Sequence, residues 1–157
     1  MTLTRTTPAN LDYQRLIVAL DRELAVTDGE DHAFYHQFNG SEAIRHVILL
    51  REEGRALACG AIKHYAPGTV EVKRMYTGAE ARGRGLAGRV VGELERWATE
   101  LGYQRLILET GVRQHAAIRL YTKLGYRRMA ENYGPYRGVT NSVCMEKTVQ
   151  VVSPNER

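Results

Sequence analysis

Residues 83–88 read Gly-Arg-Gly-Leu-Ala-Gly, between an apolar, strand-like run (VEVKRMY, 70–76) and a helix-like run (LAGRVVGELERWATELG, 86–102). Three glycines at this spacing constrain the chain more than any other feature. Glycine lets backbone approach a ligand closely, and the helix that follows presents free N–H groups and partial positive charge. The segment is therefore expected to be a strand–loop–helix unit built to hold an anion. Charge placement agrees. Between Lys73 and Arg89 stand five basic residues and one acid, Glu80, so this stretch carries +4, as much as the whole chain. A solvated basic face would also produce that charge, but the glycines in the same stretch favour an anionic ligand.

The loop satisfies G-x-G-x-x-G, and Glu109 ends the next strand-like run, which is the pattern of a dinucleotide-binding turn. Two features argue against that reading. Six residues (TGAEAR) separate Tyr76 from Gly83, where a dinucleotide turn places its first glycine at the strand end. Only 48 residues follow Glu109, too few for a second nucleotide-binding half and a substrate region. A P-loop is excluded because no Gly-Lys-Ser/Thr follows.

The rest of the chain supports one domain. Its 157 residues suffice to bury a core without disulfides. Cys59 and Cys144 lie in strand-like runs without metal spacing, so free core thiols are expected. No apolar run approaches the length of a membrane span and the N-terminus has no signal-peptide core, so the cytoplasm is the expected location. TLTRTT (2–7) suggests an edge strand. Asn10 is placed to cap a helix carrying Leu11, Leu16, Ile17, Leu20 and Leu24 on one face. DHAFYHQFNG reads as a short helix or loop. HVILLREEGRALACGAIKHY reads as a hairpin turning at Glu53-Gly54. Leu86, Val90, Leu94, Trp97 and Leu101 follow helical spacing up to Gly102; RLILET is a near-continuous apolar strand; HAAIRLYTKL is a helix ending at Gly125. A hairpin with a long connection closes a domain spanning 1–150, and 151–157 is expected to be a frayed tail.

Moved by one residue, Arg82-Gly83-Arg84-Gly85-Leu86-Ala87 fits [Q/R]-x-x-G-x-[G/A], and this loop resembles the pyrophosphate loop of the GNAT superfamily of acetyl-CoA-dependent N-acetyltransferases. RMYTGAEARGRGLAG resembles the family's strand–loop–helix, and QHAAIRLYTKLGY its acyl-site helix and following strand. The resemblance runs from about Arg45 to Lys147 and looks closest to small stand-alone bacterial members. It implies a layered α/β (α+β) domain, with a central mixed, mostly antiparallel, splayed sheet flanked by helices. It also implies acetyl-CoA as co-substrate and no metal.

Site residues follow from the same resemblance. Backbone groups of Met75, Tyr76 and Thr77 would pair with the pantetheine arm, and an N–H near Met75 would bind the thioester oxygen and then the oxyanion. Arg82, Gly83, Arg84, Gly85, Leu86, Ala87 and Gly88 would hold the pyrophosphate, with Arg84 and Arg89 equally able to be solvated side chains. Tyr121 matches the tyrosine that protonates the departing thiolate; the alternative is a packing tyrosine beside Ala117, Leu120 and Leu124. Gln114 stands where many relatives carry Asn, which changes the reach toward the pantetheine amide. Glu71 takes the place of the catalytic carboxylate of histone-acetylating relatives and can serve as base, or can form a salt bridge with Lys73. Glu109 is the second candidate for base or for binding the acceptor ammonium. Phe34, Tyr35, Phe38, Tyr133 and Tyr136 are candidates for the acceptor pocket or for core packing.

The leading expectation is an N-acetyltransferase in which a small-molecule amine or amino acid attacks the thioester directly in a ternary complex. Acylation of a tRNA-borne or protein amine, and a non-catalytic acyl-CoA sensor, are the alternatives. Local charge already explained by CoA argues against a nucleic-acid partner, no membrane partner is expected, and a homodimer is left open.

Overall fold

A computed structural model describes residues 1–150; the expected frayed tail, 151–157, lies outside the described residues. In chain order the elements are β1 (Thr2–Thr6), α1 (Leu11–Asp28), α2 (His32–His36), β2 (His46–Glu52), β3 (Arg55–Ala66), β4 (Thr69–Thr77), α3 (Leu86–Glu100), β5 (Arg105–Gly111), α4 (His115–Lys123), β6 (Arg127–Arg128) and β7 (Ser142–Thr148). The strands form one seven-stranded sheet in the order β1-β2-β3-β4-β5-β7-β6. Every pairing is antiparallel except β4 with β5. The sheet is thus mixed and mostly antiparallel, with helices on both faces.

Local chemistry sets these elements. The Asn10 side chain accepts from the backbone N–H groups of Asp12 and Tyr13, capping α1. Glu53 and Gly54 have φ of 52° and 78°, the two left-handed residues that a tight β2–β3 hairpin needs. Gly102, at φ 93°, stops the chain beyond α3. The stripe of α1 differs from its expected membership in one residue. Leu11 is 66% exposed, whereas Tyr13 is buried and hydrogen-bonds Ser41 at 2.8 Å. Tyr13, Leu16, Ile17 and Leu20 recur at helical spacing, and Leu11, two residues before Tyr13, falls on the opposite side. On α3 the stripe holds through Leu94, while Leu101 lies past the helix end and is exposed.

Helices α3 and α4 cover one sheet face through Leu86, Val90, Leu94 and Tyr121 against Ile62, Val72, Leu106 and Met145. On the other face, α1 packs over β2 and β3 through Tyr13, Val47, Leu49, Cys59 and Ala61. Beside it, α2 and the β6–β7 connection cover Ile107 and Cys144 with Tyr35, Tyr133 and Tyr136. Both cysteines are buried and free. Among the described residues no helix is long and apolar enough to cross a membrane.

Candidate active site

The functional geometry begins where β4 parts from β5. They pair only at Thr69↔Arg105, Val70↔Leu106 and Glu71↔Ile107, although β4 continues to Thr77 and β5 to Gly111. Beyond Glu71 the strands splay, and a cleft of about 1010 Å³ opens between them. Its walls bring together Glu71 and Met75 to Thr77 from β4, Glu109 from β5, the glycine loop, and Gln114 and Tyr121 from the α4 segment. The C-terminal half of α1 forms a further wall, including Leu20, Glu23 and Asp28.

A β-bulge in β4 accompanies the splay. Cys59 faces Tyr76 and Ala61 faces Lys73, so Arg74 and Met75 together oppose Gly60. Arg74 is left-handed, at φ 57°, a conformation costing a non-glycine residue roughly 1–3 kcal/mol unless its surroundings impose it. The extra residue puts Lys73 and Arg74 on the same side of the sheet. Met75 then turns to the α3 face and Tyr76 to the α1 face. Gly60 makes room for this: a Cβ there would overlap Met75 Sδ and approach Val90 Cγ1 to 2.9 Å. The sequence carried a signal for the bulge. Val70-Glu71-Val72-Lys73 alternates apolar and polar, and Arg74 breaks the alternation where an apolar residue is due.

At one end of the cleft, the loop turns through Gly83 (φ 81°) and Gly85 (φ 75°), with nothing within 4 Å of a Cβ at either. Gly85 caps α3, no acidic residue occupies the helix's first turn, and no side chain caps its N–H groups. A 15-residue helix with a bare, glycine-fronted N-terminus is suited to an anion. The arginines are placed differently. Arg82 lines the cleft, but its guanidinium contacts both oxygens of Glu23 at 2.7 Å, donates to the Thr77 carbonyl at 3.1 Å, and lies over the Tyr76 ring. Arg84 pairs with Glu52 and Arg89 reaches Met1, and neither lines the cleft.

At the opposite end lie the carboxylates. Glu71 is buried; its Oε2 accepts from the Tyr133 hydroxyl at 2.5 Å and lies 3.7 Å from Lys73 Nζ. Lys73 is half-buried, and that burial lowers its pKa against the opposing pull of Glu71. Burial pushes the Glu109 carboxyl up to about 7, against the pull of the Ser142 hydroxyl and Lys73. The Oε2 of Glu109 is buried with no hydrogen-bond partner among the described residues. Burial also raises Asp28, and its Oδ2 is likewise unpartnered.

The remaining expected residues divide. Tyr121 is buried, lines the cleft, and packs its ring 5.6 Å from that of Tyr126; burial holds its phenol firmly protonated. Gln114 lines the cleft at the N-cap of α4 with its side chain free of capping. Tyr35 and Tyr136 line the cleft beside the carboxylates, whereas Phe34, Phe38 and Tyr133 pack behind them in one aromatic cluster. Arg74, Gly60 and the α1 wall are the features that motif reading passed over, and Lys73, named there as an ion-pair partner of Glu71, lies 3.7 Å from it.

Comparison with known proteins agrees with this geometry. Residues 13–126 match the acetyltransferase (GNAT) family. The chain is similar to an IAA acetyltransferase of Azospirillum brasilense, 34% identical over 150 residues, covering 94% of this chain and 97% of that one. It is also similar to a Klebsiella pneumoniae structure described as an acyl-CoA N-acyltransferase, at 33% identity and TM-score 0.77, covering 94% of this chain and 96% of that one. The fold alone is shared with N-acetylglutamate synthase from Neisseria gonorrhoeae, solved with coenzyme A and N-acetyl-glutamate, at 18% identity and TM-score 0.70 over 96% of this chain and 36% of that one. A glycine loop at a bare helix end, a cleft through splayed strands and a family match over most of its length establish that this chain belongs to the GNAT family of acetyltransferases.

Proposed function

We propose that the chain transfers the acetyl group of acetyl-CoA to a primary amine of a small molecule or amino acid, by direct attack in a ternary complex. The observation that carries the reading is the cleft itself, which joins the glycine loop at one end to buried carboxylates at the other. Acetyl-CoA's phosphates fit the α3 N-terminus and its pantetheine arm the gap beside Met75, Tyr76 and Thr77. The coenzyme A held by the gonococcal fold neighbour supports acetyl-CoA as the co-substrate.

The chemistry asks for three groups. An ammonium has no lone pair, so a base must take its proton; Glu109, with an unpartnered oxygen and a proton affinity near neutrality, suits that task. Glu71 shares the acceptor end but already accepts from Tyr133, which suits it to orienting the amine and to being the second candidate base. The amine nitrogen attacks the thioester carbon and the oxygen gains charge against a backbone N–H near Met75. As the C–S bond breaks, Tyr121 gives its proton to the thiolate, and the second proton on the attacking nitrogen, lost as the amide forms, returns to the Tyr121 oxygen.

A panel of primary amines assayed for CoA release tests the proposal. Turnover with small amines is expected. An acyl-CoA sensor would show a raised melting temperature with acetyl-CoA and no release with any amine. A tRNA-directed enzyme would show salt-dependent tRNA binding.

A further inference from the structure

We infer that Asp21, on α1, is a positioning residue for acyl transfer: through Arg74 it holds the β4 bulge in the form that presents the Met75 backbone to the cleft. The inference rests on the proposed transferase reading, in which the thioester lies beside Met75. A non-glycine residue in a left-handed conformation persists only where its surroundings impose it. Three contacts surround Arg74 and Met75. Gly60 leaves space for the Met75 side chain on the α3 face. Cys59 Sγ donates to the Arg74 carbonyl at 3.5 Å. On the α1 face, the Arg74 side chain is only 3% exposed and its Nη2 donates to Asp21 Oδ1 at 2.5 Å.

The third contact differs in kind. The first two lie within the sheet or beneath it, whereas Asp21 reaches the bulge from the helix forming the other wall of the cleft. Its neighbours Leu20, Arg22 and Glu23 line that cleft, as Arg74 does. One ion pair therefore fixes both the side on which Arg74 leaves the strand and the approach of α1 to β4. Arg74 Nε has no hydrogen-bond partner among the described residues, the Tyr13 hydroxyl also lies near the guanidinium, and Asp21 is the carboxylate paired with it. Removing Asp21 leaves a buried, uncompensated charge at the bulge, and the cheapest response is for Arg74 to leave its pocket, taking the Met75 peptide with it. Glycine at position 74 would adopt φ 57° without strain but would offer Asp21 nothing to hold.

Asp21→Asn, Arg74→Gly and the double variant form the test. Amine-dependent CoA release gives kcat and KM, and hydrogen exchange at the Met75 amide gives a readout independent of turnover. Asp21→Asn is expected to lower kcat about 10- to 100-fold, the scale of a misplaced reacting geometry, with little change in the KM for acetyl-CoA. Exchange at Met75 should quicken. Asp21→Glu should recover part of the loss. The double variant should be no slower than the worse single variant, because both changes cut the same link. A lowered melting temperature with parental kcat and parental exchange would make the pair an ordinary stabilising contact and overturn the inference. Additive losses in the double variant would also overturn it, by showing that Asp21 acts apart from Arg74. A parent that releases CoA with none of the amines sinks the transferase reading instead, and the exchange measurements still decide whether Asp21 sets the bulge.

Discussion

Met75 occupies the space that a side chain on Gly60 would need, across the β3–β4 pairing at the point where β4 bulges. Gly60→Ala is therefore expected to destabilise the fold by about 1–3 kcal/mol, the usual cost of overpacking a filled core. Met75 Sδ can shift, but Val90 Cγ1, 2.9 Å from the new Cβ, belongs to a stiff branched side chain on α3. Thermal melts of Gly60→Ala and of Gly60→Ala with Met75→Ala check the cause: the second change should return part of the loss.

The loop assignment predicts a ligand effect. Acetyl-CoA should raise the melting temperature by mass action and NADH should not. Gly85→Asp should remove the acetyl-CoA shift, because it sets a negative charge before the α3 N-terminus and strains a residue at φ 75°. An undiminished shift in this variant would mean that the phosphates bind elsewhere.

Glu109 should govern a pH dependence. Its folded value of about 7 lies above the ordinary carboxyl value of 4.5, so the folded state binds the extra proton between these limits. Stability from this group is thus full below pH 4.5 and is lost as pH rises toward 7. Glu109→Gln should escape that loss and gain on the parent by up to about 3 kcal/mol, with the difference growing from acid pH and levelling above neutrality. Chemical denaturation across this range measures it. In activity, the parent should show a limb rising through about pH 7, and Glu109→Gln should lack it. If Glu71→Gln loses the limb and Glu109→Gln keeps it, the base is Glu71.

Tyr121→Phe separates chemistry from packing. Its ring keeps its place against Tyr126, so the melting temperature should barely move. The proton donor is lost, and kcat should fall toward the lower end of the roughly 10²–10⁴-fold range for general-acid help, since a thiolate leaves tolerably unaided. Unchanged kcat would return Tyr121 to a packing role.

Local physics made much of this protein readable in one dimension. The Glu53-Gly54 turn, the Asn10 cap and the glycine stops at Gly102 and Gly125 depend on neighbours in sequence, and so does the bare N-terminus of α3 that suits the loop to an anion. The family resemblance carried by residues 82–87 and 114–126 reached the sheet's mixed character and its splay. What sequence spacing could not supply was any relation across the sheet. Glu71 and Glu109 are two carboxylates on neighbouring strands until Tyr133 takes one as a hydrogen-bond partner and burial leaves an oxygen of the other without one. Arg82, a phosphate ligand by motif, meets Glu23 from 59 residues away, and Arg74 meets Asp21 from 53. Hydrogen bonding, desolvation and charge pairing act through space over a few ångströms, so tertiary structure alone decides which of two equivalent side chains is free to act.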